Sequence, residues 1–288
     1  MQEPKKLKPY MQTSFTEARE KLVNSERLAL ALGVVAVLAV LVPEEWGLVG
    51  WGAGVLSVAF LAAEQYQSCR FRDLFGRGEG IRRQYLLCDG LGCRISQSNL
   101  APLERRYGEL KADDEPYYTS HLEPGPKRLW MLVWESAFWS EDLQGRMAKA
   151  FWRKAVGTSG LALVALLFVL YGPEGPVVSK VIPPALALFV GLNFWGKWWD
   201  SSQVQRVCES AAADCRARVE GGASAQTEVD ELREVMQVVL NYSATMLMAY
   251  PPSDKLYVSR RDDINNAWDR VVESLAGSEW GRQEGQEP

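Results

Sequence analysis

The chain has 288 residues, with 32 basic and 36 acidic side chains, five cysteines and one histidine. The lone histidine, His121, argues against a histidine-based catalytic triad, and the cysteines lack the close spacing of a zinc site. No phosphate-loop or G-x-S-x-G motif occurs, and no basic stripe indicates a DNA or RNA partner. We therefore predict a protein without enzymatic activity, metal or cofactor.

Four stretches of the chain carry no charged residue: 28–43, 46–63, 155–173 and 181–196. They hold 16, 18, 19 and 16 residues, whereas a membrane-crossing helix needs at least about 17. Each stretch taken alone is also compatible with a buried core helix. Because the stretches form two pairs, each joined by a short acidic turn, the sequence predicts two transmembrane hairpins, at 28–63 and 155–196.

The charges around these stretches predict an orientation. Lysines and arginines flank the hairpins, whereas the turns carry Glu44, Glu45 and Glu174, with Lys180 as their only base. Such a distribution favours termini and a middle segment on the cytoplasmic side. The predicted organisation is a lead-in helix at 1–27, hairpin 1 at 28–63, a cytoplasmic insert at 64–154, hairpin 2 at 155–196, a cytoplasmic helical tail at 197–276 and a disordered end at 277–288.

Helical periodicity runs through both cytoplasmic segments. In "KRLWMLVWESAFWS", residues 127–140, apolar side chains recur at three- and four-residue steps. This spacing predicts a helix of about 25 residues that can continue into the third membrane helix. Three further apolar helix faces lie within 204–219, 229–246 and 264–275. The predicted fold class is mainly α: a polytopic membrane protein with two transmembrane helical hairpins, four transmembrane helices in all, and a cytoplasmic helical domain.

Small and polar residues inside the apolar stretches are candidates for helix packing or for lining a pore. Gly50 and Gly54 form a G-x-x-x-G pair, which permits close helix approach either within one hairpin or between subunits. Asn193 is either an interhelical hydrogen-bonding residue or a pore-facing one. The complete set of packing or pore candidates is Gly50, Gly54, Ser57, Thr158, Lys180 and Asn193.

A site for a small anionic ligand is predicted in the insert, because arginine clamps phosphates and aromatic rings stack on bases. The alternative is that the same charges only set membrane orientation and that the same rings only fill the core. The candidates are Arg82, Arg83, Tyr85, Tyr117, Tyr118, Lys127 and Arg128.

Several motifs resemble a known family. They are "FRDLFG", then "PYYTS", "PGPKRL" and "ESAFWS", and near the end "YPPSDKLYVSRRDDINNAW". With the order of hairpins and insert, they resemble the SMODS-associated four-transmembrane effectors of bacterial cyclic-oligonucleotide anti-phage systems (CBASS), over roughly residues 20–270.

The resemblance implies an antiviral effector of the bacterial inner membrane, multi-pass, with both termini cytoplasmic. Such a protein binds a cyclic oligonucleotide made by a partner nucleotidyltransferase and then disrupts or permeabilises the membrane, which causes abortive infection. The expected partners are the lipid bilayer, the cyclic oligonucleotide and further copies of the chain in a homo-oligomer. Two alternatives are a non-conducting membrane scaffold that recruits a cytoplasmic partner and a constitutive small channel.

Overall fold

The computed structural model describes residues 4–41, 47–111, 117–118, 120, 122–171, 193–221 and 227–275. Within them the chain forms one 3-10 turn and otherwise α-helices, without a strand, so the predicted mainly α class is confirmed. The helices are α1 (Leu7–Leu41), α2 (Gly47–Leu91), α3 (Gln97–Tyr107), α4 (Pro126–Tyr171), α5 (Phe194–Glu220), α6 (Glu228–Met246) and α7 (Asp254–Leu275).

The prediction of a polytopic protein with four transmembrane helices is wrong. In the ranges given above, no helix has a long enough apolar run to cross a bilayer. Two of the charge-free stretches belong to longer helices: the stretch at 46–63 continues into Glu64 and the charged remainder of α2, and the stretch at 155–173 follows the charged first half of α4. Residues 42–46 and 172–192, and the side chains of 36–51, lie outside the described residues. The predicted multi-pass localisation and the pore-forming role are corrected with the fold class.

The aromatic stretch 127–140 is helical, as its periodicity predicts. Helix α4 begins at Pro126, where the N–H of Leu129 donates to the carbonyl of Gly125 at 3.1 Å, and it runs without interruption to Tyr171. Proline suits the first turn of a helix because the N–H it lacks would have no partner there. The predicted continuation of this helix into the stretch at 155–173 is therefore confirmed.

The helices divide into two compact units. Unit 1 takes its described residues from Met1–Thr16, Phe75–Arg146 and Asp200–Pro288, and unit 2 takes its own from Glu17–Leu74 and Met147–Trp199. The core of unit 1 is built from α2, α4, α5, α6 and α7, and its buried side chains include Leu86, Leu129, Leu132, Val133, Trp134, Val204, Val239, Ile264 and Trp268.

Helices α2 and α4 approach closely in unit 1. A Cβ atom built on Gly90 would lie 2.8 Å from Leu129 Cδ1 and 3.1 Å from Leu129 Cα. The carbonyl of Gly90 also accepts a hydrogen bond of 2.8 Å from the N–H of Gly125. A side chain at position 90 would therefore push the two helices apart, and this contact depends on glycine.

Polar contacts join three helices of unit 2. The Ser25 hydroxyl of α1 donates to Glu64 Oε1 of α2 at 2.8 Å, and both side chains are buried. The Lys197 ammonium of α5 pairs with Glu26 Oε1 of α1 at 2.7 Å. These contacts fix α1 against α2 and α5 at the charged end of the apolar stretches.

Candidate functional site

Arg82 lies at the centre of a buried polar group in unit 1, with only 6% of its surface exposed. Its Nε and Nη2 atoms donate to Glu79 Oε2 at 2.9 and 2.8 Å. Its Nη1 atom donates to the Ser136 hydroxyl at 2.6 Å and to the Tyr242 hydroxyl at 2.8 Å. We call Glu79, Arg82, Tyr118, Ser136, Ser140 and Tyr242 the arginine cluster.

Tyr242 closes the arginine cluster from the side of α6. Its hydroxyl donates to the Ser136 carbonyl at 3.0 Å and lies 3.0 Å from the Ser140 hydroxyl. The guanidinium carbon of Arg82 also lies 5.1 Å from the centre of the Tyr242 ring, within cation–π range. Side chains from α2, α4 and α6 are thus joined through one cation.

The electrostatics favour a charged arginine among neutral hydroxyl groups. Burial raises the pKa of Tyr118 and Tyr242, so both phenols stay protonated. Burial alone would lower the pKa of Arg82, but the attraction of Glu79, together with that of the neighbouring tyrosine hydroxyls, outweighs it and raises that pKa. The cluster therefore contains an ion pair and hydrogen-bonding groups, which can bind or position a polar partner.

Three of the predicted ligand residues form an aromatic group beside Arg82. The ring centres of Tyr117 and Tyr118 lie 4.8 Å apart, and the Tyr85 ring lies 5.7 and 5.8 Å from them. Tyr85 and Tyr118 are buried, whereas Tyr117 is 37% exposed. Burial raises the pKa of Tyr85 to about 12. Burial also raises the pKa of Tyr117 well above its usual value, so its hydroxyl end is enclosed. The exposed part of Tyr117 is the largest surface that these three residues offer to a ligand.

The remaining basic candidates are dispersed. Arg128 donates through Nη2 to both carboxylate oxygens of Asp89 at 3.1 Å and through Nη1 to the Leu122 carbonyl at 2.6 Å. Arg83 is exposed and Lys127 is half-buried. Since Arg82 and Arg128 are already paired with carboxylates, a phosphate ligand would have to displace Glu79 or Asp89 to reach them.

Four residues of the arginine cluster were not predicted as site residues: Glu79, Ser136, Ser140 and Tyr242. Glu79 stands three residues before Arg82, a helical spacing that permits an ion pair. Ser136 and Ser140 stand four residues apart in "ESAFWS" and so share one helix face. Nothing local marks Tyr242, because its partners are at least 102 residues away in the sequence.

The predicted packing or pore residues make local contacts where they are described. The Ser57 hydroxyl donates to the Ala53 carbonyl, and the Thr158 hydroxyl to that of Lys154, both at 2.9 Å. A Cβ on Gly54 would meet nothing within 4 Å, and Asn193 Oδ1 accepts from the Gly196 N–H at the start of α5. Lys180 and the side-chain surroundings of Gly50 lie outside the described residues.

A second candidate site is an apolar surface on unit 2. On α2 the exposed side chains of Val55, Leu56 and Val58 span about 160° of the helix circumference. A helix that is apolar around so much of its surface is normally covered by a protein core or a membrane. We call the following exposed side chains the apolar surface: Leu30, Val34, Val55, Leu56, Val58, Leu61, Val156, Leu163, Val164 and Leu167.

Metal binding finds no support in the described part of the chain, where no three histidine, cysteine or acidic side chains are placed to hold an ion. His121 lies outside that part. Comparison of the chain with protein-family models, curated proteins and solved structures finds no match. The resemblance to the four-transmembrane effectors therefore stays a prediction, and the geometry of the arginine cluster and the apolar surface is what a function has to account for.

Proposed function

We propose that the chain is a non-enzymatic effector that acts on a lipid bilayer through the apolar surface of unit 2 and responds to a cyclic oligonucleotide through unit 1. The observation that supports it is the set of exposed apolar side chains that α1, α2 and α4 all carry in unit 2. Apolar groups in water are unfavourable by about 25 cal/mol per Å², and extended exposed patches mark interaction sites. The proposal requires contact with lipid and does not require a helix to cross it.

Tryptophans beside the apolar surface favour lipid over a protein partner. Trp152, Trp195 and Trp199 of unit 2 are all exposed. Indole rings concentrate where the apolar layer of a membrane meets water, because one edge of the ring is polar and the rest is not. A surface of exposed valine and leucine with tryptophan at one end fits that boundary.

The ligand in the proposal is a cyclic oligonucleotide. The support is the resemblance in sequence, together with the exposed Tyr117 ring beside two buried tyrosines and an arginine. A base stacked on an aromatic ring contributes about 1–3 kcal/mol. A phosphate that displaces Glu79 from Arg82 would disturb the contacts of Arg82 with α2, α4 and α6. Ligand binding would in this way change how these three helices of unit 1 pack.

Vesicle flotation tests the bilayer part. The full chain, mixed with phospholipid vesicles and centrifuged through a density gradient, is expected to float with the lipid. The double variant V58D/L163D is expected to lose binding by tenfold or more, since each apolar side chain withdrawn from lipid costs roughly 1.5–3 kcal/mol.

The control is V229D/V258D in unit 1. Val58 and Leu163 are 68% and 56% exposed, and Val229 and Val258 are each 67% exposed, so both variants place two aspartates at exposed helical positions. If the two double variants lose binding equally, or if the unaltered chain stays in the lower fractions, the bilayer proposal is wrong. The latter result would favour a protein partner for the apolar surface.

Titration with a panel of cyclic di- and trinucleotides, followed by tryptophan fluorescence or calorimetry, tests the ligand part. One member of the panel is expected to bind, and Y117A is expected to weaken it by about 10-fold or more, as loss of one stacking contact predicts. Y66A is the control, because Tyr66 is an exposed tyrosine, at 62%, and belongs to unit 2, to which the proposal assigns no contact with the nucleotide. Equal affinity of Y117A and the unaltered chain would reject this site.

A further inference from the structure

Three neighbouring basic residues of α4 lack carboxylate partners in the described part of the chain. Lys149, Arg153 and Lys154 are exposed, and none of them forms an ion pair there. Lys197 on α5, by contrast, is paired with Glu26. Three cations within six residues raise the local positive potential, although the whole chain carries a net charge of −4.

Contacts with aromatic rings position one of these cations. The Lys154 ammonium lies 5.3 Å from the centre of the Phe194 ring and 5.8 Å from that of the Phe151 ring. The Lys197 ammonium lies 5.7 and 6.0 Å from the same two rings. The two phenylalanines therefore hold Lys154 close to α5. No carboxylate among the described residues neutralises its charge.

The order of residue types along α4 matches the layers of a lipid surface. The three cations at 149–154 come first, and Ser159 follows, whose hydroxyl accepts from the Trp195 indole at 3.0 Å. The exposed Leu163, Val164 and Leu167 come last. With a rise of 1.5 Å per residue, position 163 lies about 14 Å along the helix from Lys154. The order of cationic, polar and apolar residues along α4 therefore matches the order of headgroup, interface and hydrocarbon in a lipid layer.

A second helix of unit 2 repeats this order. On α1 the exposed Arg27, which has no ion pair among the described residues, precedes the exposed Leu30 and Val34. The Glu26–Lys197 pair ties α1 to α5 at the same level. Cations thus stand at the charged end of the apolar surface on two separate helices.

We propose that Lys149, Arg153 and Lys154 form a binding surface for the phosphate headgroups of anionic phospholipids. This inference rests on the proposed action at a bilayer and adds the lipid class. Each lysine or arginine held near an anionic lipid surface contributes about 1 kcal/mol, or about fivefold in binding. The three residues together give a preference on the order of 100-fold for anionic over neutral vesicles at low salt.

The experiment compares vesicles of phosphatidylcholine alone with vesicles that contain about one third phosphatidylglycerol, at low and high salt. The unaltered chain is expected to prefer the anionic vesicles and to lose that preference as salt screens the charges. The triple variant K149Q/R153Q/K154Q is expected to bind both vesicles with nearly the affinity that the unaltered chain has for the neutral ones.

The control R105Q/R206Q/K255Q removes the same charge from exposed positions of unit 1. It is expected to keep the preference. Equal loss in both triple variants would show an effect of net charge and would overturn the inference. So would equal binding of the unaltered chain to the two vesicles, which would leave the proposed function standing. Binding to neither vesicle would overturn both.

Discussion

Arg82 and Tyr242, which are 160 residues apart in the sequence, meet in the interior of unit 1. The Arg82 guanidinium donates to the Tyr242 hydroxyl at 2.8 Å, and its carbon lies 5.1 Å from the centre of the same ring. Glu79, one turn earlier on α2, supplies the compensating charge at 2.8 Å. Each charge of this buried ion pair needs the other, because an isolated charge would be costly in the protein interior.

Removal of either partner of this ion pair is expected to destabilise the chain strongly. E79Q or R82M leaves one group buried without its partner, which costs about 3–5 kcal/mol. Urea unfolding followed by tryptophan fluorescence measures the change, since Trp134 and Trp268 lie in the core of the same unit.

A double variant separates the ion pair from packing. E79L/R82M replaces both charges by apolar groups of similar size and is expected to lose less stability than either single variant. A double variant as unstable as the sum of the two singles would contradict this reading of the pair.

The close approach of α2 and α4 makes a second prediction, at Gly90. A methyl group there would meet the backbone of Leu129 at 3.1 Å, so G90A is expected to lose about 1–3 kcal/mol of unfolding free energy through overpacking. G80A is the matched control: it lies in the same helix, ten residues earlier, and its Cβ would meet nothing within 4 Å. Since alanine favours a helix over glycine, G80A is expected to gain up to about 1 kcal/mol. Destabilisation of both variants to the same degree would mean that the helix, and not its contact with α4, is sensitive.

Apolar periodicity predicted the helices well because it depends only on the spacing of residues within one helix. On α5, six residues were predicted to share an apolar face; five of them are buried and Val207 is half-buried, the buried five being Val204, Cys208, Ala211, Cys215 and Val219. On α6 the predicted face included Val229, which is exposed, while the unpredicted Val235 and Tyr242 are buried. The first turn of α6 also holds Glu228, Asp230 and Glu231. Val229 is a lone apolar residue there and stays uncovered by its neighbours, which periodicity along one helix cannot show.

The arginine cluster was only partly predictable. The residue types of Arg82, Tyr85, Tyr117 and Tyr118 pointed to one site, and the structure brings them together. The pairing of Arg82 with Glu79, Ser136 and Tyr242 depends on how α2, α4 and α6 meet, which local spacing does not determine. The prediction of transmembrane helices from charge-free stretches failed for a related reason. It considered each stretch by itself and not the longer, partly charged helix that contains it.

The lowered pKa of Asp142 is expected to make unit 1 less stable in acid. Burial alone would raise the pKa of Asp142, but hydrogen bonds from Arg260 and Arg146 outweigh it and lower the pKa below its ordinary value of 3.8. A carboxyl whose pKa is lower in the folded than in the unfolded chain adds stability above the unfolded value, and this is lost as pH falls through the folded value. The unaltered chain is therefore expected to exceed D142N in stability by a constant amount at pH 5–7 and by progressively less below about pH 4.

Denaturant titrations at several pH values measure this difference. D262N is the control, because the exposed Asp262 pairs at 3.5 Å with the adjacent, exposed Arg261, and surface pairs of this kind contribute little. A difference between the unaltered chain and D142N that stays constant down to pH 2 would show that Asp142 acts through packing and not through its charge.

The reactivity of the five cysteines measures how well the core excludes reagents from solvent. Cys69 and Cys93 are exposed, whereas Cys88, Cys208 and Cys215 are buried. Burial raises the pKa of all three buried thiols, that of Cys208 to about 12, and Cys208 also contacts the Met246 sulfur at 3.9 Å. Because the thiolate is the reactive form, Cys208 carries only about one part in ten thousand of it at pH 8.

A disulfide reagent at pH 8 is therefore expected to modify two thiols of the folded chain rapidly and all five only after unfolding. Mass spectrometry of the modified peptides identifies which cysteines react. In E79Q, loss of the ion pair weakens the contact of α2 with α4 and α6, so the reaction of Cys208 is expected to accelerate while those of Cys69 and Cys93 keep their rates. Rapid modification of Cys208 in the unaltered chain would show that the helices around the arginine cluster open readily, and Arg82 would then be reachable by a ligand without the displacement of Glu79 that the closed structure requires.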